Sequence, residues 1–172
     1  MKRVMDFLFS ILGLLILSPL LVIFFLIVKF DSSGPGFFLQ ERVGRNGNVF
    51  KIIKFRTMFV VKESNNTISI KGDVRVTNVG VFLRKYKLDE LPSLLNVVLG
   101  HMSLVGPRPD VPGYADRLEG KDKDILKLRP GITGPASLKY SNEEEILASK
   151  KNPKYYNDNV RLIIFNLCIY IV

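Results

Sequence analysis

Asp89-Glu90 places two carboxylates side by side, with Arg84, Lys85 and Lys87 just before them and Arg108 after them in Gly106-Pro107-Arg108-Pro109. Such a set suits phosphoryl transfer. One carboxylate attacks phosphorus, the other holds a metal ion or accepts a proton, and the cations screen phosphate charge. The two prolines fix φ on either side of Arg108, so its guanidinium is presented from a stiff backbone. Upstream, Lys54 and Arg56 fall in residues 49–56, a run of β-formers. Strand alternation puts them on the face of Phe50 and Ile52, where two cations could hold a diphosphate. Plainer roles fit the same residues: Asp89 or Glu90 can offset the partial positive charge of a helix start, and Lys54 and Arg56 can decorate a solvated strand face.

Other chemistries have no residues to run on. The chain has 1 cysteine, Cys168, so it can form neither an intramolecular disulfide nor a thiolate metal cluster. His101 is the sole histidine, and a hydrogen-bonded loop residue is its expected role. No P-loop, dinucleotide fingerprint, HExxH, Gly-x-Ser-x-Gly or EF-hand loop occurs. Against 16 Asp+Glu stand 25 Lys+Arg, a net charge of +9 that favours an anionic partner: phospholipid, nucleic acid or a phosphorylated substrate.

The elements that must position these groups begin with an uncharged apolar run at residues 7–28, about 33 Å long as a helix and enough to reach across a hydrocarbon core. It exceeds a signal-peptide core, and no small-residue cleavage site follows. Pro19 removes a backbone donor inside it. Two shapes remain open: a kinked span, or a helix that enters, bends at Ser18-Pro19 and returns to the same face, with the Ser18 hydroxyl serving a freed carbonyl. Lys2 and Arg3 before the run and Lys29, Arg42, Arg45 and Lys51 after it suit the second. Residues 44–56 read as a hairpin turning at Asn46-Gly47. Residues 78–87 read as a basic amphipathic helix capped by Thr77, with Val79, Phe82, Leu83 and Tyr86 on one face. It lies in the membrane interface or packs on the core. A short apolar helix, residues 93–99, then stops at Gly100, and Arg129-Pro130-Gly131-Ile132-Thr133-Gly134-Pro135 forms a second rigid turn.

In order and wording these motifs resemble the bacterial sugar transferases called small monotopic phosphoglycosyl transferases. The likeness rests on the Ser18-Pro19 break, residues 34–44 (GPGFFLQERVG), 50–58 (FKIIKFRTM), Leu83-Arg84-Lys85 through Leu88-Asp89-Glu90-Leu91-Pro92, Asn96-Val97, residues 102–109 (MSLVGPRP) and Pro130-Gly131-Ile132-Thr133-Gly134. It implies a ping-pong reaction in which Asp89 attacks the sugar-linked phosphate of a UDP-sugar, UMP leaves, and polyprenyl (undecaprenyl) phosphate takes the phosphosugar from the aspartate. Glu90 would bind Mg²⁺ and assist proton handling. Lys54, Arg84 and Arg108 match basic positions near the phosphates, and Pro107-Arg108-Pro109 would help hold the uridine. The family's membrane segment is a re-entrant helix hinged at its Ser-Pro pair. That favours the second shape, with a cytoplasmic-face catalytic domain on the bacterial inner membrane.

The expected fold is therefore α+β: a re-entrant, Ser-Pro-kinked membrane helix over residues 1–30, then a catalytic domain over 31–172 with a small β-hairpin and amphipathic interfacial helices. The expected partners are a UDP-sugar, polyprenyl phosphate and membrane lipid, with no nucleic acid. Three positions depart from the family pattern. Val74 stands where proline is common, His101 where an acid is frequent, and residues 161–172 form an apolar ending too short to span a membrane. Two other classes stay open: a catalytically impaired scaffold of the same family, and a membrane-anchored nucleic-acid-binding protein. The latter lacks aromatic residues interleaved with its basic patches.

Overall fold

The computed structural model describes residues 1–60, 73–113 and 115–139. The apolar ending at residues 161–172 lies outside them. Helix α1 runs from Lys2 to Asp31 and continues through Pro19. Pro19 cannot donate to the carbonyl of Leu15, four residues back, and the Ser18 hydroxyl donates to that carbonyl instead, at 2.8 Å. The expected service of a freed carbonyl is therefore present, while the helical backbone is not interrupted.

Both ends of α1 rest on the same body. Near its start, Lys2, Arg3 and Asp6 hydrogen-bond residues 98–105. Near its end, Val28 is buried with Phe55 and Leu83, and Leu21, Phe24 and Phe25 pack against that cluster. Its opposite face is bare: Leu12, Leu15, Ile16, Val22 and Ile23 are all exposed. Among the described residues α1 is the one helix long and apolar enough to cross a membrane, and an unpaired apolar face of this size marks membrane association.

Strands β1 (Phe37–Val43) and β2 (Val49–Phe55) pair antiparallel, Phe37 opposite Phe55 and Val43 opposite Val49. The expected turn is there, with Asn46 at φ 59° and Gly47 at φ 79°. The hairpin is longer than expected, because its first strand precedes Gly44. Phe37 stacks on Phe55 at 5.5 Å and Phe25 approaches Phe37 at 5.0 Å, so α1 covers one hairpin face. On the other face Phe50 and Ile52 are buried with Val97 and Met102.

Helix α2 (Asn78–Lys85) starts at Thr77, whose hydroxyl accepts from the Gly80 N–H at 2.9 Å. Its apolar stripe is split. Leu83 is buried and Val79 packs beside it, whereas Phe82 and Tyr86 are exposed and pair with each other at 5.0 Å. A stripe spread over residues 79, 82, 83 and 86 is too wide for one contact, so one edge meets the core and the other faces outward.

After Lys87, in the left-handed region at φ 56°, a 3₁₀ segment Leu88–Ser93 runs into α3 (Leu94–Val98). The stop at Gly100 takes φ 91°. Beyond it, β3 (Ser103–Val105) and β4 (Gly131–Thr133) pair in parallel, an element the sequence reading did not anticipate, and α4 (Pro135–Lys139) follows.

Candidate active site

The site is assembled where β2, the 3₁₀ segment and the loop after β3 converge. Asn96 makes the first join. Its side chain, 1% exposed, accepts from the Ile53 N–H at 2.9 Å and donates to the Lys51 carbonyl at 2.8 Å. The amide thus pairs with the outer edge of β2 as a neighbouring strand would, and sets α3 against the strand carrying Lys54. From sequence Asn96 stands only within the Asn96-Val97 motif, because its partners lie 43 and 45 positions away.

Lys54 reaches across that join to Glu90, Nζ to Oε1 at 2.6 Å. Ser93 donates to the Glu90 carbonyl at 2.5 Å and holds the turn on which both acids sit. Burial pushes the Asp89 carboxyl above the usual carboxylate range; Lys54 opposes the shift and the Glu90 charge adds to it. Burial acts the same way on Glu90, but the charge and hydrogen bond of Lys54, helped by Arg108 and Lys87, outweigh it and hold Glu90 below its ordinary value. Two adjacent acids are thereby pushed apart in acidity, as acid–base and nucleophile pairs are. Asp89 Oδ1 is buried with no hydrogen-bond partner. The 3₁₀ segment has no side-chain cap, and a capping role for the pair leaves that oxygen unexplained.

The loop Gly106-Pro107-Arg108-Pro109 is fixed through its backbone. Gly131 N–H donates to the Pro107 carbonyl at 2.8 Å, Arg42 to the Pro109 carbonyl at 3.1 Å, and Val43 N–H to the Asp110 carbonyl at 2.8 Å. The two glycine-bearing loops noted in the sequence meet here. A Cβ on Gly131 would overlap the backbone of Gly106, and one on Gly106 would overlap the Arg129 carbonyl, so the contact requires both glycines. Arg42, Lys54, Glu90, Ser93, Arg108 and Pro109 line an open cleft together with Ile52, Met102 and Ile132. Arg84 stands on the Asp89 side, its Nε donating to Thr57 Oγ1 at 2.8 Å.

Of the residues expected to bind phosphate, Lys54, Arg84 and Arg108 gather around the acids, and Arg56 does not. Strand β2 ends at Phe55, so alternation no longer governs the next side chain. The Arg56 guanidinium turns to the end of α1 and donates to the carbonyls of Val28 at 3.1 Å, Ser32 at 2.6 Å and Ser33 at 2.8 Å. It is 5% exposed there and closes the helix C-terminus. His101 lies against the Phe50 ring at 5.7 Å, outside the cleft. Arg42, which the sequence reading left among the flanking charges, is the addition: it lines the cleft and holds the loop.

Among the described residues no three His, Cys, Asp or Glu side chains form a metal cage. The acid pair does fit Mg²⁺, which takes one or two carboxylates and completes its shell with substrate phosphates and water. Asp89 Oδ1 is buried without a protein donor, and of the two acids Glu90 is the one that lines the cleft.

A site of acids and phosphate-class cations on a membrane-facing domain agrees with what the chain resembles. The family model described as bacterial sugar transferase matches residues 1–171, and the chain belongs to that family. It is similar to the exopolysaccharide production protein ExoY of Sinorhizobium fredii, 36% identical over 178 residues covering 94% of this chain and 79% of the relative. It is also similar to a UDP-glucose:undecaprenyl-phosphate glucose-1-phosphate transferase of Klebsiella pneumoniae, 41% identical over 141 residues, 80% of this chain and 30% of the relative. A third relative is the UDP-N-acetylgalactosamine-undecaprenyl-phosphate N-acetylgalactosaminephosphotransferase of Aeromonas hydrophila, 39% identical over 141 residues, 80% of this chain and 33% of the relative. The chain thus spans most of ExoY and about a third of the other two.

Proposed function

We propose that this chain transfers a sugar phosphate from a UDP-sugar to polyprenyl (undecaprenyl) phosphate, releasing UMP, by way of a covalent phosphosugar on Asp89. The observation that carries the reading is the buried, unpartnered Asp89 Oδ1 beside the Lys54–Glu90 pair. An unsolvated carboxylate oxygen is a stronger nucleophile than one bound to donors, and nearby Lys54 and Arg84 favour its ionised form. Asp89 bonds to the phosphorus attached to the sugar, and the bond from that phosphorus to the bridging oxygen breaks, so UMP leaves with the electron pair. A polyprenyl phosphate oxygen then bonds to the same phosphorus and the bond to Asp89 breaks, restoring the carboxylate. Lys54, Arg84 and Arg108 screen the phosphates in both steps, and Pro107 and Pro109 shape the nucleotide end of the cleft. Glu90 would hold Mg²⁺ together with phosphate oxygens, and the ion's charge would offset that of the diphosphate.

The setting suits a reaction between a soluble nucleotide sugar and a lipid phosphate. The ties of both ends of α1 to one domain support a helix that enters and leaves the bilayer on a single face, re-entrant at Ser18-Pro19. Phe82, Tyr86, Leu95 and Leu99 of α2 and α3 and their flanks are exposed as well and would seat in the headgroup layer. Nucleotide sugars place it in the cytoplasm, at the bacterial inner membrane, and the product would begin an exopolysaccharide or glycoconjugate.

The test is product identity. Protein in lipid nanodiscs with Mg²⁺, undecaprenyl phosphate and a panel of UDP-sugars should release UMP, and Asp89→Asn should not. Release of UDP would mean sugar transfer without its phosphate, and no release from a folded protein across the panel would leave the scaffold reading.

A further inference from the structure

The first turns of α1 are tied to β3 by a polar cluster that the reaction above does not use. The Asp6 carboxylate, 7% exposed, accepts from Ser103 Oγ at 2.8 Å and from the Leu104 N–H at 3.3 Å. Ser103 is 1% exposed. Its single hydroxyl proton has a second acceptor in the Val105 carbonyl at 3.0 Å, but Lys2 Nζ already donates to that carbonyl at 2.8 Å and to Ser103 Oγ at 2.9 Å. The carboxylate is the stronger and nearer acceptor, so the hydroxyl proton goes to Asp6. A buried carboxylate is costly unless its hydrogen bonds are made, and those made here converge on β3. That strand pairs with β4 over three residues and packs Leu104, with Met102 just before it, on the cluster of Phe50 and Ile52; the Asp6 bonds add a polar tie from α1 at Ser103 and Leu104. Gly106 and the Arg108 loop follow it directly.

Anchoring α1 alone would not require this cluster, because the other end of the helix is already held by Val28, Phe55 and Arg56. We propose that Asp6 is a positioning residue: through Ser103 and the Leu104 amide it fixes β3 so that Arg108 faces Glu90, and so couples seating of the membrane helix to competence of the site. The kinetic part of this inference rests on the reaction proposed above.

The experiment uses the full chain in phosphatidylglycerol/phosphatidylethanolamine nanodiscs, with Asp6→Ala, Asp6→Asn and Ser103→Ala. Hydrogen exchange and the kinetics of UMP release are read on each. We expect faster exchange confined to residues 104–110, with residues 49–55 and 78–85 unchanged. The KM for UDP-sugar should rise about tenfold or more, as misplacement of a positioned group does, with a smaller change in kcat. Asp6→Asn, which keeps an acceptor for the Leu104 amide, should fall between wild type and Asp6→Ala. Unchanged protection at residues 104–108, or a KM within about twofold of wild type, overturns the proposal. Should Asp6→Ala fail to fold, Asp6→Asn and Ser103→Ala decide both arms. If the wild type releases no UMP the functional reading fails, while the exchange arm still decides whether Asp6 holds the loop.

Discussion

Replacing Asn96 by alanine should damage the protein more than any single exposed change. The side chain is 1% exposed and satisfies one donor and one acceptor of β2, the Ile53 N–H and the Lys51 carbonyl. Alanine leaves both backbone groups unpaired at a part-buried edge of the strand. Each orphaned group costs about 1–3 kcal/mol, and relaxation at the outer edge of β2 returns part of it, so the net loss should be about 3 kcal/mol. For a chain of this size that corresponds to a fall in Tm of about 6–12 °C. Thermal unfolding in detergent, followed by circular dichroism, reads it. Asn96→Asp adds a check on the cause. It keeps the acceptor for Ile53 but loses the donor to Lys51, and it buries a charge at neutral pH. Its penalty should therefore shrink on acidification, when the protonated acid donates again; the alanine penalty should not. A loss under about 0.5 kcal/mol for Asn96→Ala would refute the reasoning, since that is the range of ordinary surface substitutions.

Three further outcomes follow from the geometry. Burial raises Asp89, so the acid limb of kcat/KM for UMP release should lie above the usual carboxylate range. Lys54→Met removes the main opposing charge and should move that limb to higher pH; an unmoved limb would remove Lys54 from the field of Asp89. Gly131→Ala drives a methyl into the Gly106 backbone, and circular dichroism melts should show a loss of about 1–3 kcal/mol, with UMP release falling alongside, whereas a wild-type melt would deny the close contact. Val74, 91% exposed, follows Asp73 in a turn closed by Val76 N–H to the Asp73 carbonyl at 3.0 Å. Val74→Pro suits that position and should stabilise by about 0.5 kcal/mol, seen as a small rise in Tm.

Local signals were legible in the sequence. Asn46-Gly47, Thr77 and Gly100 each announced a turn, a cap and a stop through backbone preferences that depend on neighbours alone. The acid pair and three of its cations were legible as types, and their grouping followed from family order. Partners far apart in the chain were not. The Asp6–Ser103 bond joins residues separated by 97 positions, and from sequence Asp6 reads only as a charge before an apolar run. Arg56 lies one residue past the end of β2, where strand alternation does not predict its turn to the carbonyls of Val28, Ser32 and Ser33. Strand β1 was missed because it exposes Phe37, Phe38 and Leu39, so its pattern lacks the polar alternation of a half-buried strand. The β3–β4 pair left no signal beyond its glycines, which read equally as turns.

The central claim is that Asp89 carries the phosphosugar, and it is tested most directly by omitting the lipid acceptor. The protein, mixed with Mg²⁺ and its UDP-sugar alone, should release UMP in a burst of about one equivalent, and acid-quenched peptides should carry the phosphosugar mass on Asp89. A sustained turnover that needs both substrates together, with no burst and no mass on Asp89, would contradict the account.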